Sequence, residues 1–260
     1  MAPPTVRIDH DAGACIITFD RPEKRNAVSV QMMHEIAAAA RTAEADAAIT
    51  AVILSGGDAF FSAGADLNEA LAVKTTPQAL AYFPEWHRLN ATLEALRKPV
   101  IAAIEGFCFT GGLELAMACD LRIAGAGASF AITSAKIGTV AGAGGTQRLP
   151  RLVGMAKALE LLFAADPIDT AEALRIGLIN KIVPTGTALA EAKRLVETYR
   201  QRGPISLAFA KQAIYRGMQM DFASAIEFET MLVTAIYGTR DKQEGISAFL
   251  EKRRPTFTGE

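Results

Sequence analysis

Lys98-Pro-Val-Ile-Ala-Ala-Ile-Glu-Gly106-Phe-Cys-Phe-Thr-Gly111-Gly112-Leu-Glu114-Leu-Ala-Met-Ala-Cys-Asp120 contains one complete structural unit. The apolar run at 100–104 reads as a buried strand, Gly106 as the turn that ends it, and 113–118 as a helix entered through a glycine pair. The same order stands N-terminal to it. Ala51-Val-Ile-Leu54 is a strand and Ser55-Gly-Gly-Asp58 a turn, and Phe60-Phe-Ser-Ala-Gly64-Ala65-Asp66 leads into a short helix from Leu67. A longer helix is predicted over 77–96, closed by Arg97-Lys98 before Pro99. Further out, Val6-Arg-Ile8 and Cys15-Ile-Ile-Thr-Phe19 flank Asp11-Ala-Gly13 as a hairpin or adjacent strands. Arg21-Pro-Glu-Lys-Arg-Asn26 is a polar loop, and Ser29 caps a helix reaching about residue 45.

C-terminal to the unit, Leu121-Arg-Ile123 and Ser129-Phe-Ala-Ile132 are short strands, 171–176 is a helix closed by Gly177, and 179–183 a further strand. Helices follow near 186–202, 204–217, 220–236 and 241–252, with Gly203-Pro204 read as a C′ glycine and a first-turn proline. Strand–helix alternation predicts an α/β core of largely parallel strands, followed by a helical region.

Composition narrows the function. In 260 residues, 27 Lys and Arg stand against 28 Asp and Glu, for a net charge of −1. No basic excess exists to displace counterions from phosphates, so a nucleic-acid partner is not expected. Cys15, Cys108 and Cys119 are too scattered for a disulfide framework or a metal pair, and a reducing, cytoplasmic location is the expectation. With histidine only at 10, 34 and 87, no metal site is expected either. No apolar run approaches the 18 residues of a membrane span, and the opening residues lack the pattern of a signal or transit peptide. Gly142-Ala-Gly-Gly-Thr-Gln147 fails the dinucleotide fingerprint at its last position, Gly127-Ala-Ser-Phe-Ala131 fails the nucleophile elbow, and no phosphate-binding P-loop is found.

Two junctions remain, Ser62-Ala-Gly64-Ala65-Asp66 and Thr110-Gly111-Gly112-Leu113. Each is a Gly-rich turn after a strand and before a helix. Either the glycines serve the turns alone, or the turns aim free N–H groups at one point as an oxyanion hole. Glu114 sits one turn inside an apolar helix. A carboxylate so buried is either paired or raised in pKa and usable as an acid/base.

These residues carry a resemblance. Phe61-Ser-Ala-Gly-Ala-Asp-Leu67, Lys98-Pro-Val-Ile-Ala-Ala103, Gly111-Gly-Leu-Glu-Leu-Ala-Met-Ala-Cys-Asp120 and Ile137-Gly-Thr-Val-Ala-Gly-Ala-Gly-Gly-Thr-Gln-Arg-Leu149 resemble the enoyl-CoA hydratase/isomerase (crotonase) superfamily. Ala173-Leu-Arg-Ile-Gly-Leu-Ile-Asn-Lys-Ile-Val183 and Gly245-Ile-Ser-Ala-Phe-Leu-Glu-Lys-Arg253 extend it to the C-terminus. The resemblance implies a spiral core of repeated ββα units over 1–195, holding an acyl-CoA site. It also implies a C-terminal helical region over 196–260 that drives a homotrimer or a dimer of trimers. The expected partner is an acyl-CoA thioester, with no cofactor beyond the coenzyme A of the substrate.

By matching motifs, the backbone N–H groups of Ala65 and Gly111 would form the oxyanion hole. Ala63, Asp66 and Leu67 would line the CoA path, Lys24 and Ala27 would meet the CoA moiety, and Phe249 and Lys252 would reach the CoA of a neighbouring subunit. Glu114 matches the first of two catalytic glutamates; the second position reads Ser134, and Thr110 replaces a glycine. A hydroxyl orients water but does not exchange protons as a carboxylate does. The expectation is therefore a hydratase-like lyase with Glu114 as base and Ser134 positioning water. The alternatives are a decarboxylase or thioester hydrolase using Glu114 alone, and a non-catalytic acyl-CoA-binding protein. The dehalogenase branch is disfavoured, because its nucleophilic aspartate falls at Gly142. His87 is read as a helix residue without a catalytic task, and Phe83, Trp86, His87 and Phe109 as either pocket wall or core.

Overall fold

The computed structural model describes residues 3–260. Its strands are β1 Val6–Asp11, β2 Ala14–Phe19, β3 Ala51–Ser55, β4 Val100–Ile104, β5 Phe107–Phe109, β6 Leu121–Gly125, β7 Ser129–Ala131, β8 Ile168–Asp169 and β9 Lys181–Val183. Its helices are α1 Val30–Ala45, α2 Leu67–Ala72, α3 Thr76–Ala95, α4 Gly111–Met117, α5 Gly145–Val153, α6 Met155–Ala164, α7 Thr170–Arg175, α8 Ala188–Tyr199, α9 Pro204–Gly217, α10 Phe222–Tyr237 and α11 Arg240–Leu250.

Six strands form one sheet in the order β1-β2-β3-β4-β6-β9, and β5-β7-β8 form a second. β1 and β2 are the antiparallel hairpin read from their turn; from β2 to β9 the pairing is parallel. At the centre of the sheet, β3 over 51–54 and β4 over 100–104 are apolar without interruption because both faces are covered. Val52, Leu54, Val100, Ala102 and Ile104 face the main core beneath α1, α3 and α4. The alternate residues Ala51, Ile53, Ile101, Ala103 and Ile123 pack on Ala188, Ala192 and Val196 of α8. Helix α8 thus lies across position 195 and belongs to the packing of the sheet.

The turns of the chain that begin with β4 and β6 each add one strand to each sheet. β4 continues into β5 and then α4; β6 continues into β7 and then the short 3-10 turn Ser134–Ile137. The preceding turn joins the second sheet through a parallel bridge of Ser62 to Cys108, and Cys108 pairs with Phe130. Ser62, Cys108 and Phe130 are therefore equivalent points on three stacked turns of a spiral. The residues that follow them, Ala65, Gly111 and Ser134, leave the same edge side by side.

Some boundaries differ from the expectations. Gly111 and Gly112 form the first turn of α4 instead of preceding it. Gly203 is the N-cap of α9, with φ −61°, and not a C′ residue of α8, which ends at Tyr199. Pro204 does occupy the first turn of α9. That helix is moored to the core by Lys211. The buried ammonium donates to Leu93 O, Lys98 O and Asp120 Oδ2 at 3.2, 3.2 and 2.9 Å. Beyond it, α10 has no buried residue and exposes Phe222, Met231 and Tyr237. No described helix is long and apolar enough to cross a membrane.

Candidate active site

Loop 21–28 and loop 61–66 are stitched together first. Asn26, buried at φ +53°, donates from Nδ2 to Gly56 O at 2.9 Å, and its carbonyl accepts from Ser62 Oγ at 2.7 Å. Val28 N donates to Gly64 O, and Asp66 N to Val28 O. This parallel bridge engages the peptides on either side of Ala65, while the Ala65 N–H itself has no acceptor among the described residues.

Asp66 caps α2 by accepting from Asn68 N at 3.0 Å, and pairs with Arg21 at 2.8 Å and Lys24 at 3.5 Å. Burial would raise its carboxyl, but the Arg21 hydrogen bond, the Asn68 N–H and Lys24 outweigh burial and hold it below the ordinary value. The buried Asp66 is thus occupied within the chain. Lys24, Ala63 and Leu67 are exposed around it, with Ala27 half-buried, and together they form an open rim beside Ala65.

Gly111 meets this loop from the next turn of the spiral. A Cβ at 111 would stand 3.1 Å from Ala65 N and 2.7 Å from Cη2 of Trp86, so a glycine is required for the approach. The Gly111 N–H likewise has no acceptor among the described residues. Thr110, which precedes it, is held at φ +42°, in the region that favours glycine. Three hydrogen bonds enforce that conformation: Thr110 N to Ala131 O at 2.7 Å, Thr110 Oγ1 with Thr133 Oγ1 at 2.8 Å, and Thr133 N to Thr110 Oγ1 at 3.1 Å. They offset a strain of about 1–3 kcal/mol. Two unengaged N–H groups held side by side can both donate to an oxygen on which negative charge develops.

One turn into α4, Glu114 is 2% exposed. Its Oε1 accepts from Ala143 N at 2.8 Å and Gly145 N at 2.7 Å. Burial raises the carboxyl, and although those two N–H groups and the charge of Arg148 oppose it, the net direction is up. Ser134 opens the 3-10 turn beside the Thr110–Thr133 pair. It is buried, and its hydroxyl bonds to no other described residue. The spiral therefore gathers Ala65, Gly111, Glu114 and Ser134 at one edge. Phe249 and Lys252 lie elsewhere, exposed at the end of α11, and make no hydrogen bond or ion pair with this group.

The enoyl-CoA hydratase/isomerase family model matches residues 9–260. The chain belongs to that family. It is 38% identical over 256 residues to the probable enoyl-CoA hydratase echA8 of Mycobacterium bovis, covering 98% of each chain. It is 37% identical over 258 residues to the crotonyl-CoA hydratase of Syntrophomonas wolfei, covering 99% of each. Its fold superposes on the crystal structure of an enoyl-CoA hydratase from Bacillus anthracis with a TM-score of 0.93 and 34% identity, over 98% of this chain and 100% of that one. The spiral architecture and its helical C-terminal region are those of this family.

Several residues that shape the site escape a linear reading. Arg21 and Asn26 lie in what the sequence shows only as a polar loop, and Thr133 beside a position noticed for its neighbour. Asn90 did leave a signal: it falls on the stripe of α3 that carries Trp86, Leu89 and Leu93, where helical spacing asks for an apolar residue. Trp86 is core, packed on Gly111, whereas Phe83 is partly exposed with its ring edge at Gly142. His87 is exposed on α3.

Proposed function

We propose that this family member adds water across a 2-enoyl-CoA thioester. The observation that carries the reading is the pairing of unengaged Ala65 and Gly111 N–H groups with a buried, raised carboxyl at Glu114. The thioester carbonyl oxygen sits between the two N–H groups, which stabilise the enolate as it forms; one such donor is worth about 10²–10³ in rate. Glu114, held through Oε1, works with Oε2. It takes a proton from water as the hydroxyl adds to Cβ, then returns that proton to Cα as the enolate collapses. Ser134 orients the water by hydrogen bonding. The chemistry calls on no cofactor, since coenzyme A arrives with the substrate.

The CoA moiety follows the open rim. Lys24 offers its charge to phosphate, Ala27, Ala63 and Leu67 offer contact surface, and Asp66 acts through the loop it braces. Phe249 and Lys252 serve a neighbouring subunit in a homotrimer or a pair of trimers. The supporting observation is α10, whose apolar residues have no cover in the single chain. Three buried free thiols, at Cys15, Cys108 and Cys119, suit a reducing cytoplasm.

The test is hydration of crotonyl-CoA by the purified protein, followed as loss of the conjugated enoyl-thioester absorbance, beside Glu114→Gln. Turnover in the parent, with a fall of about 10²–10⁴ in the variant and CoA-ester binding retained, supports the reading. Persistent turnover in the variant refutes Glu114 as the acid/base. The uncharged Ser134 favours one second reading, decarboxylation of an acyl-CoA, which needs the N–H pair and a single proton donor. Binding without hydration of crotonyl-CoA would move the reading to a different acyl-CoA or to decarboxylation, and release of CO2 from a carboxyacyl-CoA would select the latter.

A further inference from the structure

Asn90 is wholly buried in α3, and only half of its amide is satisfied. Nδ2 donates to Ala143 O at 2.7 Å, while Oδ1 has no donor among the described residues. A half-satisfied amide at an apolar position is destabilising relative to a packed leucine, so packing does not account for it. Arg148 of α5 reaches the same carbonyl, Nη1 to Ala143 O at 3.2 Å, and its Nε donates at 2.6 Å to Glu94, one turn beyond Asn90 on α3. The turn at 142–145 is therefore gripped from outside through the Ala143 carbonyl. On its inner side it presents the Ala143 and Gly145 N–H groups to Glu114 Oε1. Gly144 and Gly145 make room for both grips. A Cβ at 144 would lie 1.9 Å from Arg148 Nη1, and one at 145 would lie 2.8 Å from Glu114 Oε1.

We infer that Asn90 and Arg148 are positioning residues for Glu114. By holding the Ala143 carbonyl they aim two N–H groups at Oε1, leave Oε2 free to carry the proton, and set the acidity of the carboxyl. This rests on Glu114 being the acid/base. The charged and titratable groups around it come from four elements. Arg148 on α5 acts on the carboxyl directly, and Glu94 on α3 faces Arg148. Cys108 on β5 is a neutral thiol, its pKa pushed up by burial. Arg122 on β6 spends its guanidinium on the carbonyls of Leu178, Cys119 and Ala116, at the far end of α4. Neither the 141–145 turn nor the rest of α4 adds a charge.

The full-length protein, labelled with 13C at the glutamate side-chain carboxyls, gives a direct readout by NMR titration, with the Glu114 signal assigned from its loss in Glu114→Gln. In Arg148→Gln the Glu114 titration moves to higher pH, because a cation favouring the ionised form is gone. The acid limb of kcat for crotonyl-CoA moves with it, KM changes little, and Arg148→Lys restores part of both. Asn90→Leu, which fills the same space without the amide, lowers kcat by roughly 10- to 100-fold at nearly unchanged KM. An unmoved Glu114 titration in Arg148→Gln, or parental kcat in Asn90→Leu, overturns the inference. Should Asn90→Leu fail to fold, the Arg148 pair decides alone. If Glu114→Gln keeps its turnover while the titration still responds to Arg148, the catalytic reading falls and the positional one stands.

Discussion

Gly145→Ala is a single methyl aimed at the centre of the site. That methyl would stand 2.8 Å from Glu114 Oε1 and 3.0 Å from Glu114 Cγ and Ala141 Cβ, where ordinary contact begins at 3.4 Å. Ala141 is buried and its side of the turn cannot yield, so the carboxylate withdraws by about 0.6 Å. The hydrogen bonds from Ala143 N and Gly145 N, now 2.8 and 2.7 Å, then stretch beyond the roughly 3.2 Å limit of a sound N–H···O bond. Each bond to an ionised group contributes about 1.5–3 kcal/mol. Losing most of one, together with a displaced base, lowers kcat by roughly 10- to 100-fold. The N–H groups favour the ionised carboxyl, so their retreat also moves the acid limb of the pH–rate profile upward. Overpacking takes a further 1–3 kcal/mol or so from stability. The assay is the pH dependence of crotonyl-CoA hydration, beside circular dichroism to verify folding. A folded variant with parental kcat and an unmoved acid limb would mean that the two N–H groups have no part in proton transfer.

Three other substitutions separate the remaining assignments. Ser134→Glu restores a carboxylate at the second position and should raise crotonyl-CoA hydration, by up to about 10²-fold if one acid/base was missing; no gain in a folded variant removes Ser134 from that position. Glu114→Gln should be more heat-stable than the parent at about pH 8. The folded carboxyl is raised above 4.5, so the parent's stability is complete below that value and declines as pH rises through the folded pKa. Thermal melts across pH should show the gap closing toward acid, and a variant less stable at every pH refutes the assignment of burial as the cause. Asp66→Asn should lose roughly 1.5–3 kcal/mol at neutral pH, from the charge-assisted bond to Arg21. Asp66 is depressed below 3.8, so its contribution is present above that value and disappears as pH falls through the folded pKa. Equal melting temperatures for variant and parent at neutral pH would count against the pairing.

What the sequence made legible were the features written locally. Ser29 accepts from Met32 N as a helix cap should, the β1–β2 hairpin follows its Asp-Ala-Gly turn, and Glu114 is buried as its apolar neighbours require. β5 and β8, of three and two residues, leave no local signal, because their order comes from a second sheet whose partners lie on other turns of the spiral. Glycine serves at either end of a helix, and the φ of −61° at Gly203 goes with its place as the N-cap of α9. The same limit hides the link between Arg148 and Asn90. Their common contact is the Ala143 carbonyl, 53 residues from Asn90, and no periodicity encodes it. Thr110 shows the converse: the sequence marked it as a departure, and its positive φ shows why glycine would be the easier residue there.

Trp86 is the chain's single tryptophan, and its ring carbon Cη2 lies where a side chain at Gly111 would have to go. All indole emission therefore originates beside the N–H pair at the head of α4. If the proposed thioester binds at that N–H pair, crotonyl-CoA added to the protein should change the emission of that one ring. The native enzyme carries a fluorophore for stopped-flow work, so ligand arrival is separable from bond making without an added label.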